Sequence, residues 1–135
     1  MKHIFLDTNF IVDLTVRDNY KETAQNLLKI GVKNGCIFYV SFLTVANYAY
    51  ICRKLPKEVL LKNLSSITTI FKVLPNNLQH IKLSIEEKTN DFEDALQYFT
   101  ALENHCDCIV TRNENDFKFS KLPIYSPEEF INAHS

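Results

Sequence analysis

The 135-residue sequence contains only two glycines, Gly31 and Gly35, in an isolated GxxxG. A GxGxxG dinucleotide loop, a Walker A loop and a GxSxG nucleophile elbow all need glycines at other spacings. These absences exclude the usual glycine-built phosphate-binding loops and the serine hydrolases that use such an elbow.

The sequence also lacks an excess of charge of either sign. Fifteen lysines and arginines face 16 aspartates and glutamates, and the formal net charge is -1. A protein that binds nucleic acid through bulk charge needs a large surplus of basic residues. A histone-like polycation is therefore excluded, and any contact with nucleic acid must use a local basic patch.

The four cysteines, Cys36, Cys52, Cys106 and Cys108, form no CxxC pair, and the four histidines follow no zinc-site spacing. The cysteines are most simply interpreted as thiols in or beside buried strands. No apolar run is long enough to cross a membrane, and no signal peptide is evident at the N-terminus. We therefore expect a cytoplasmic protein without membrane association.

Short apolar strands alternate with amphipathic helices along the chain. Strands are predicted at 3–6, 36–40, 71–74, 108–111 and 122–125, and helices at 10–14, 20–33, 44–54, 57–69, 77–87, 91–104 and from 127 onward. This alternation predicts one α/β domain over residues 1–135. We expect a three-layer sandwich in which helices flank a mostly parallel sheet of four or five strands.

Polar residues follow the predicted strands where a parallel sheet binds its ligands, beyond the strands' carboxyl ends. They are Asp7, Thr8 and Asn9 after the first strand, Ser41 and Thr44 after the second, and Thr111, Arg112, Asn113 and Asp116 at the end of the fourth. The helix that leads into the fourth strand opens with Asp91 and Asp94. Acidic groups are thus predicted to gather at one edge of the sheet.

Carboxylates in one cleft repel each other unless a cation neutralises them. Asp91 and Asp94 are three residues apart and share a helical face. Oxygen ligands without cysteine or histidine suit Mg²⁺ or Mn²⁺. Such ions activate water and stabilise charge on a phosphoryl group, so the pattern indicates phosphoester chemistry.

Each of these residues also has a purely structural interpretation. Asp91 is the better candidate for a helix N-cap, and Asp94 can simply favour the helix N-terminus. Asp116 can cap a short helical turn, and Asn113 can serve as a turn residue. Arg112 can form a local ion pair instead of binding phosphate. Only the joint placement of the acids favours a functional site.

Three sequence segments together resemble the PIN-domain family, and within it the small bacterial VapC-like toxin ribonucleases. They are Phe5-Leu6-Asp7-Thr8-Asn9 with Ile11-Val12-Asp13, then Asp94-Ala95-Leu96-Gln97, and finally Ile109-Val110-Thr111-Arg112-Asn113 continuing to Asp116-Phe117. Their order and separations match the family over essentially the whole chain. The resemblance implies a Mg²⁺- or Mn²⁺-dependent endoribonuclease that forms a homodimer and is held inactive by a small antitoxin protein.

The resemblance also implies roles for individual residues. The family's acids fall on Asp7, Asp94 and Asp116, which would hold the cation and carry catalysis. Supporting roles would go to Thr8, Asn9 and Thr111, which orient ligands or water. Near the mouth of the expected cleft lie Arg112, Lys118 and Lys121, which would either contact RNA phosphates or form an ordinary solvated basic surface.

The sequence departs from the family at two acidic positions. Asn47 stands where the family has a glutamate, and Asn113 stands where it has an aspartate. An amide keeps an oxygen ligand but loses a charge. Asp91, one helical turn before Asp94, is a candidate for compensating this loss. The alternative is a catalytically weakened PIN scaffold that binds RNA or a partner protein.

Two other α/β classes are compatible with an aspartate at the end of a first strand. A haloacid-dehalogenase-like phosphatase would use Asp7 as nucleophile, but its second acid would fall on Asn9, which cannot transfer the proton. A receiver-like phosphorylation switch needs an aspartate after the third strand, where the sequence has Leu74-Pro75. Both are therefore weaker interpretations than a metal-dependent nuclease.

Overall fold

The computed structural model describes residues 2–135. Its strands are β1 (His3–Leu6), β2 (Ile37–Ser41), β3 (Lys72–Leu74), β4 (Cys108–Val110) and β5 (Ile124–Tyr125). Its α-helices are α1 (Thr8–Val16), α2 (Asp18–Lys33), α3 (Phe42–Ile51), α4 (Lys57–Ile70), α5 (Leu78–Glu87), α6 (Phe92–Glu103) and α7 (Pro127–His134). A short 3₁₀ helix covers Glu114–Phe117.

The five strands form one parallel sheet in the order β3-β2-β1-β4-β5, as the alternating pattern predicts. β1 lies at the centre, with β2 on one side and β4 on the other. The second and third strands are added on one side of β1 and the fourth and fifth on the other, so the strand order reverses at β1. In an open parallel sheet this reversal leaves a crevice beyond the carboxyl end of the central strand.

Successive side chains of β1 are buried in two separate apolar cores, one on each face of the sheet. Ile4 and Leu6 are fully buried in a core shared with α1–α4 and α7, whereas Phe5 is buried on the opposite face against α6. Both faces of a parallel sheet must be covered by helices, which explains the uninterrupted apolar run of the strand. The predicted three-layer sandwich is confirmed.

The observed helix termini follow from local capping. Ser41 and Asn77 cap α3 and α5 through reciprocal capping boxes, and Ser126 does the same for α7. Helix α1 begins earlier than predicted, at Thr8, because the Asp7 side chain accepts a hydrogen bond from the Thr8 backbone N–H. The strand is thus followed by a helix without an intervening loop.

Helix α2 packs closely on the sheet at Gly31, where any side chain would collide with the Phe38 ring of β2. The helix ends before Gly35, which has φ +77 and so adopts a left-handed conformation. Across residues 2–135, we find no helix with the length and apolar character needed to cross a membrane.

Candidate active site

A cleft of about 310 Å³ lies beyond the carboxyl end of β1, between α3, α6 and the segment after β4. Its lining residues are Asp7, Thr8, Asn9, Asn47, Tyr50, Ile51, Asp91, Glu93, Asp94, Gln97, Asn113 and Asp116. The topology therefore brings the three predicted catalytic carboxylates, Asp7, Asp94 and Asp116, to one cleft. Within residues 2–135, this lining includes no lysine, arginine or histidine.

Asp7 is held in the cleft by contacts with Thr8 of α1 and with the end of β4. Its backbone N–H donates to the Val110 carbonyl at 3.1 Å, which continues the pairing of β1 with β4. Its carboxylate accepts hydrogen bonds from the Thr8 backbone N–H at 2.9 Å and from the Thr111 hydroxyl at 3.0 Å. Two donors on two elements therefore fix its orientation.

The pKa of Asp7 is nevertheless raised to about 6. Burial is the largest cause; the hydrogen bonds from Thr111 and Thr8 oppose it, and the charges of Asp116 and Asp91 add to it. A carboxyl that receives two hydrogen bonds would ordinarily have a lowered pKa. The rise therefore shows that burial, together with the neighbouring acids, outweighs the two hydrogen bonds.

Asp94 lies in the first turn of α6, and its pKa is raised to about 8. Burial is the first cause, followed by the negative charges of Asp7, Asp91 and Asp116. At neutral pH the proton therefore remains largely on Asp94 when no cation is bound. The sequence predicts this crowding of acids, because parallel topology brings the strand ends together.

Asp91 and Asp116 also have contacts of their own. Asp91 caps α6, its Oδ1 accepting from the Asp94 backbone N–H at 3.2 Å, so the structural interpretation of this residue is confirmed. Asp116 lies inside the 3₁₀ helix and does not cap it; its N–H donates to the Asn113 carbonyl at 3.0 Å. Asn113 has no capping hydrogen bond from its side chain, but its N–H donates to the Thr111 hydroxyl at 3.0 Å.

Sequence reasoning gave no role to Gln97, which is buried behind the acids. Its amide nitrogen donates to the hydroxyls of Thr44 at 2.9 Å and Thr8 at 3.4 Å, and its carbonyl oxygen accepts from the Ser41 hydroxyl at 2.5 Å. The signal available in the sequence was a polar glutamine among the apolar residues of a predicted helix, which indicates a buried side chain that needs hydrogen-bond partners. This network joins α6 to β2, α3 and α1 directly beneath the cleft.

Arg112 does not line the cleft; it forms an ion pair, as its alternative interpretation had it, but with a partner 99 residues away and not with a local one. Its Nε and Nη2 donate to the two oxygens of Asp13 at 2.6 and 3.1 Å. Its guanidinium lies 3.9 Å from the ring centroid of Tyr20. Arg17 donates to Asp13 at 3.2 Å and to Asn9 at 3.1 Å, which ties this cluster to the edge of the cleft.

The two predicted phosphate-binding lysines differ in position. Lys118 lines a second cavity, of about 370 Å³, which adjoins the acidic cleft because Asp91 and Asp116 line both. Lys121 lines neither cavity; its backbone N–H donates to the Tyr98 hydroxyl at 3.1 Å. Lys118 is thus the better placed of the two for a ligand that crosses the cleft.

The donor atoms of the cleft fit a hard divalent cation by their chemistry. They are carboxylate, amide and hydroxyl oxygens without thiol or imidazole, which suits Mg²⁺ or Mn²⁺. The raised pKa values of Asp7 and Asp94 mark the charge that such an ion would offset. Among the residues that the structure describes, no three histidine, cysteine, aspartate or glutamate side chains already form a ready-made metal site.

Comparison with known proteins gives concordant matches. A family model described as PIN domain matches residues 3–115. Ribonuclease VapC1 of Aquifex aeolicus (strain VF5) is 26% identical over 134 residues, covering 94% of this chain and 92% of the relative. A structure of VapBC2 from Rickettsia felis bound to a promoter DNA fragment aligns with TM-score 0.72 and 19% identity, covering 91% of this chain and 97% of the other. A toxin-antitoxin complex from Klebsiella pneumoniae aligns with TM-score 0.66 and 19% identity, covering 92% and 97%.

Proposed function

The chain belongs to the PIN domain family, and from this premise we propose that it is a metal-dependent endoribonuclease of the VapC type. One observation carries the proposal: Asp7, Asp94 and Asp116 line one cleft beyond the carboxyl end of the central strand, and no lysine, arginine or histidine of residues 2–135 lines it with them. Such a cleft is costly to fold unless a cation occupies it.

Asp7, Asp94 and Asp116 are the residues that would hold the cation, with Asn47 and Asn113 offering amide oxygens at the rim. A bound Mg²⁺ or Mn²⁺ would activate water for attack on a phosphodiester and offset the charge of the phosphate. Asp94 would hold the ion in its deprotonated form, and because its pKa is raised to about 8, a low pH would oppose ion binding.

The surrounding side chains keep these carboxylates in place. Thr111 and the Thr8 N–H orient Asp7 through its two oxygens. The buried amide of Gln97 fixes α6, which carries Asp94, against α1 and α3. These contacts set the positions of the acids before any ligand arrives, and such support strongly affects metal affinity and activity.

The substrate side of the proposal is RNA, whose phosphates would run from the acidic cleft into the cavity lined by Lys118. Arg112 supports this edge through Asp13 and does not itself supply the phosphate contact. VapBC2 from Rickettsia felis and a toxin-antitoxin complex from Klebsiella pneumoniae share this fold, and by analogy we propose a small antitoxin partner. We also propose a homodimer that acts in the cytoplasm.

Cleavage of RNA by the full chain, in Mn²⁺ and in EDTA, tests the proposal. We expect chelation to abolish cutting, and Asp7→Asn or Asp94→Asn to reduce it roughly a thousandfold, about 4 kcal/mol of transition-state stabilisation. Asp18→Asn is the matched control, because this aspartate lies on α2 with its side chain 93% exposed. Undiminished cutting by both cleft variants would refute the assignment.

A weakened PIN scaffold remains the second candidate, because Asn47 and Asn113 carry no charge at the cleft. It predicts RNA binding without cutting and no rise in melting temperature when millimolar Mn²⁺ is added. The ribonuclease predicts a rise, since an ion that binds only the folded state stabilises it.

A further inference from the structure

We propose that Glu93 is a further ligand of the divalent cation and supplies the negative charge that Asn47 lacks, an inference that rests on the proposed metal-dependent function. Glu93 stands in the first turn of α6, directly before Asp94, and lines the same cleft. Its Oε2 accepts a hydrogen bond from the Asn47 side-chain amide at 3.2 Å. A carboxylate thus lies against the position where the family resemblance places a glutamate.

The contact with Asn47 leaves Glu93 able to bind an ion. A carboxylate has two oxygens with about four acceptor sites, and the amide of Asn47 uses one of them. The amide is neutral, so the charge of Glu93 is not offset by this partner. Asn47 therefore orients the carboxylate at the rim of the cleft without neutralising it.

Asp91 is the other candidate for replacing the missing charge. Its Oδ1 accepts from the Asp94 N–H at 3.2 Å and so caps α6. Unlike Glu93, Asp91 has no hydrogen bond to Asn47 in the described chain, so Glu93 is the carboxylate that contacts the position of the family's glutamate. A carboxylate in the first helical turn is also favoured by the positive end of the helix dipole.

Titration of the full-length protein with Mn²⁺, followed by calorimetry, tests Glu93 without reference to RNA cutting. We expect Glu93→Gln to weaken Mn²⁺ binding roughly tenfold. Glu103→Gln is the matched control: it removes the same charge from the exposed, opposite end of α6 and should bind Mn²⁺ as the wild type does. Circular dichroism of both variants verifies that the fold is retained.

A double variant separates ligation from simple packing. In Asn47→Glu combined with Glu93→Gln, the carboxylate and the amide exchange places, and we expect Mn²⁺ affinity to return to the wild-type value. If Glu93 only packs against Asn47, glutamine accepts the same hydrogen bond and Glu93→Gln binds Mn²⁺ normally, which overturns the inference. Failure of the exchange to restore binding overturns it as well.

Asp7→Asn separates the test of the metal-dependent function from the test of Glu93 as a ligand. Wild-type protein that binds Mn²⁺, Asp7→Asn that does not, and Glu93→Gln that binds normally would leave the metal-dependent function standing and remove Glu93 from it. Wild-type protein that binds no Mn²⁺ would remove both.

Discussion

Two buried aspartates lie six residues apart on one segment, and their surroundings are opposite. Asp13, in the second half of α1, is 1% exposed and paired with the guanidinium groups of Arg112 and Arg17. Asp7, immediately before α1, is 6% exposed and accepts hydrogen bonds from Thr8 and Thr111. In the described part of the chain, no basic side chain forms an ion pair with it.

The difference separates a charge with a structural partner, that of Asp13, from the charge of Asp7, which we propose serves the site. The charge of Asp13 is matched inside the fold, where it ties α1 to the segment after β4. The charge of Asp7 is opposed by burial and by Asp116 and Asp91, and its pKa is raised to about 6. An uncompensated buried acid lowers stability, which is typical of groups arranged for a ligand.

The largest contrast is expected in the stability of two matched substitutions. Asp13→Asn removes the charge shared by two arginines, and we expect it to cost about 3 kcal/mol and lower the melting temperature by roughly 10 °C. Asp7→Asn removes an unfavourable charge and keeps a good helix cap, so its melting temperature should not fall. Thermal unfolding in EDTA measures both. Equal destabilisation by the two variants would remove the distinction.

A smaller effect is expected in the pH dependence of the ion-free protein. The pKa of Asp94 is raised from 3.8 to about 8 in the folded chain. Between these values the folded state holds a proton that the unfolded state has released, so stability falls as the pH rises. We expect Asp94→Asn to flatten this slope and to gain about 1–2 kcal/mol at pH 8.

Melting temperatures across this pH window, in EDTA, measure the slope. Asp18→Asn serves as the control, because the carboxylate of Asp18 is exposed and does not line the cleft. A slope in Asp94→Asn that equals the wild-type slope would show that Asp94 is not a major source of the destabilisation.

The smallest expected effect concerns the hydrogen-bond geometry between Arg112 and Asp13. Arg112→Lys keeps the charge beside Asp13 but loses the two-pronged hydrogen bonding and the stacking on Tyr20. We expect a loss of about 1 kcal/mol in chemical denaturation. Cutting of RNA per folded molecule should be unchanged, whereas a large drop in cutting would place Arg112 on the substrate.

Much of this architecture could be predicted because it depends on local pattern. The apolar run 3–6, the capping residue Ser126 and the stop at Gly35 each reflect a few neighbouring residues. The gathering of Asp7 and Asp116 at one edge could be predicted because parallel strands end at the same edge, and Asp94 joins them from the first turn of the helix that leads into β4. These are the features that periodicity and topology determine.

The features that could not be predicted depend on contacts between residues that are far apart in the sequence. Asp13 and Arg112 are 99 residues apart, and Asn47 and Glu93 are 46 apart. Nothing in the local sequence indicates which of several acids an arginine or an amide will reach. The same limit applies to Gln97, whose partners lie on three other elements.

The central position of β1 in the sheet also affects when the site can form during protein synthesis. Synthesis delivers the N-terminal residues first, at about 5–20 residues per second. β1 gains its neighbour β4 only after residues 108–110 have been made, and the cleft gains Asp116 later still. A nascent chain that stops short of Asp116 therefore lacks the complete set of acids that we propose for the site.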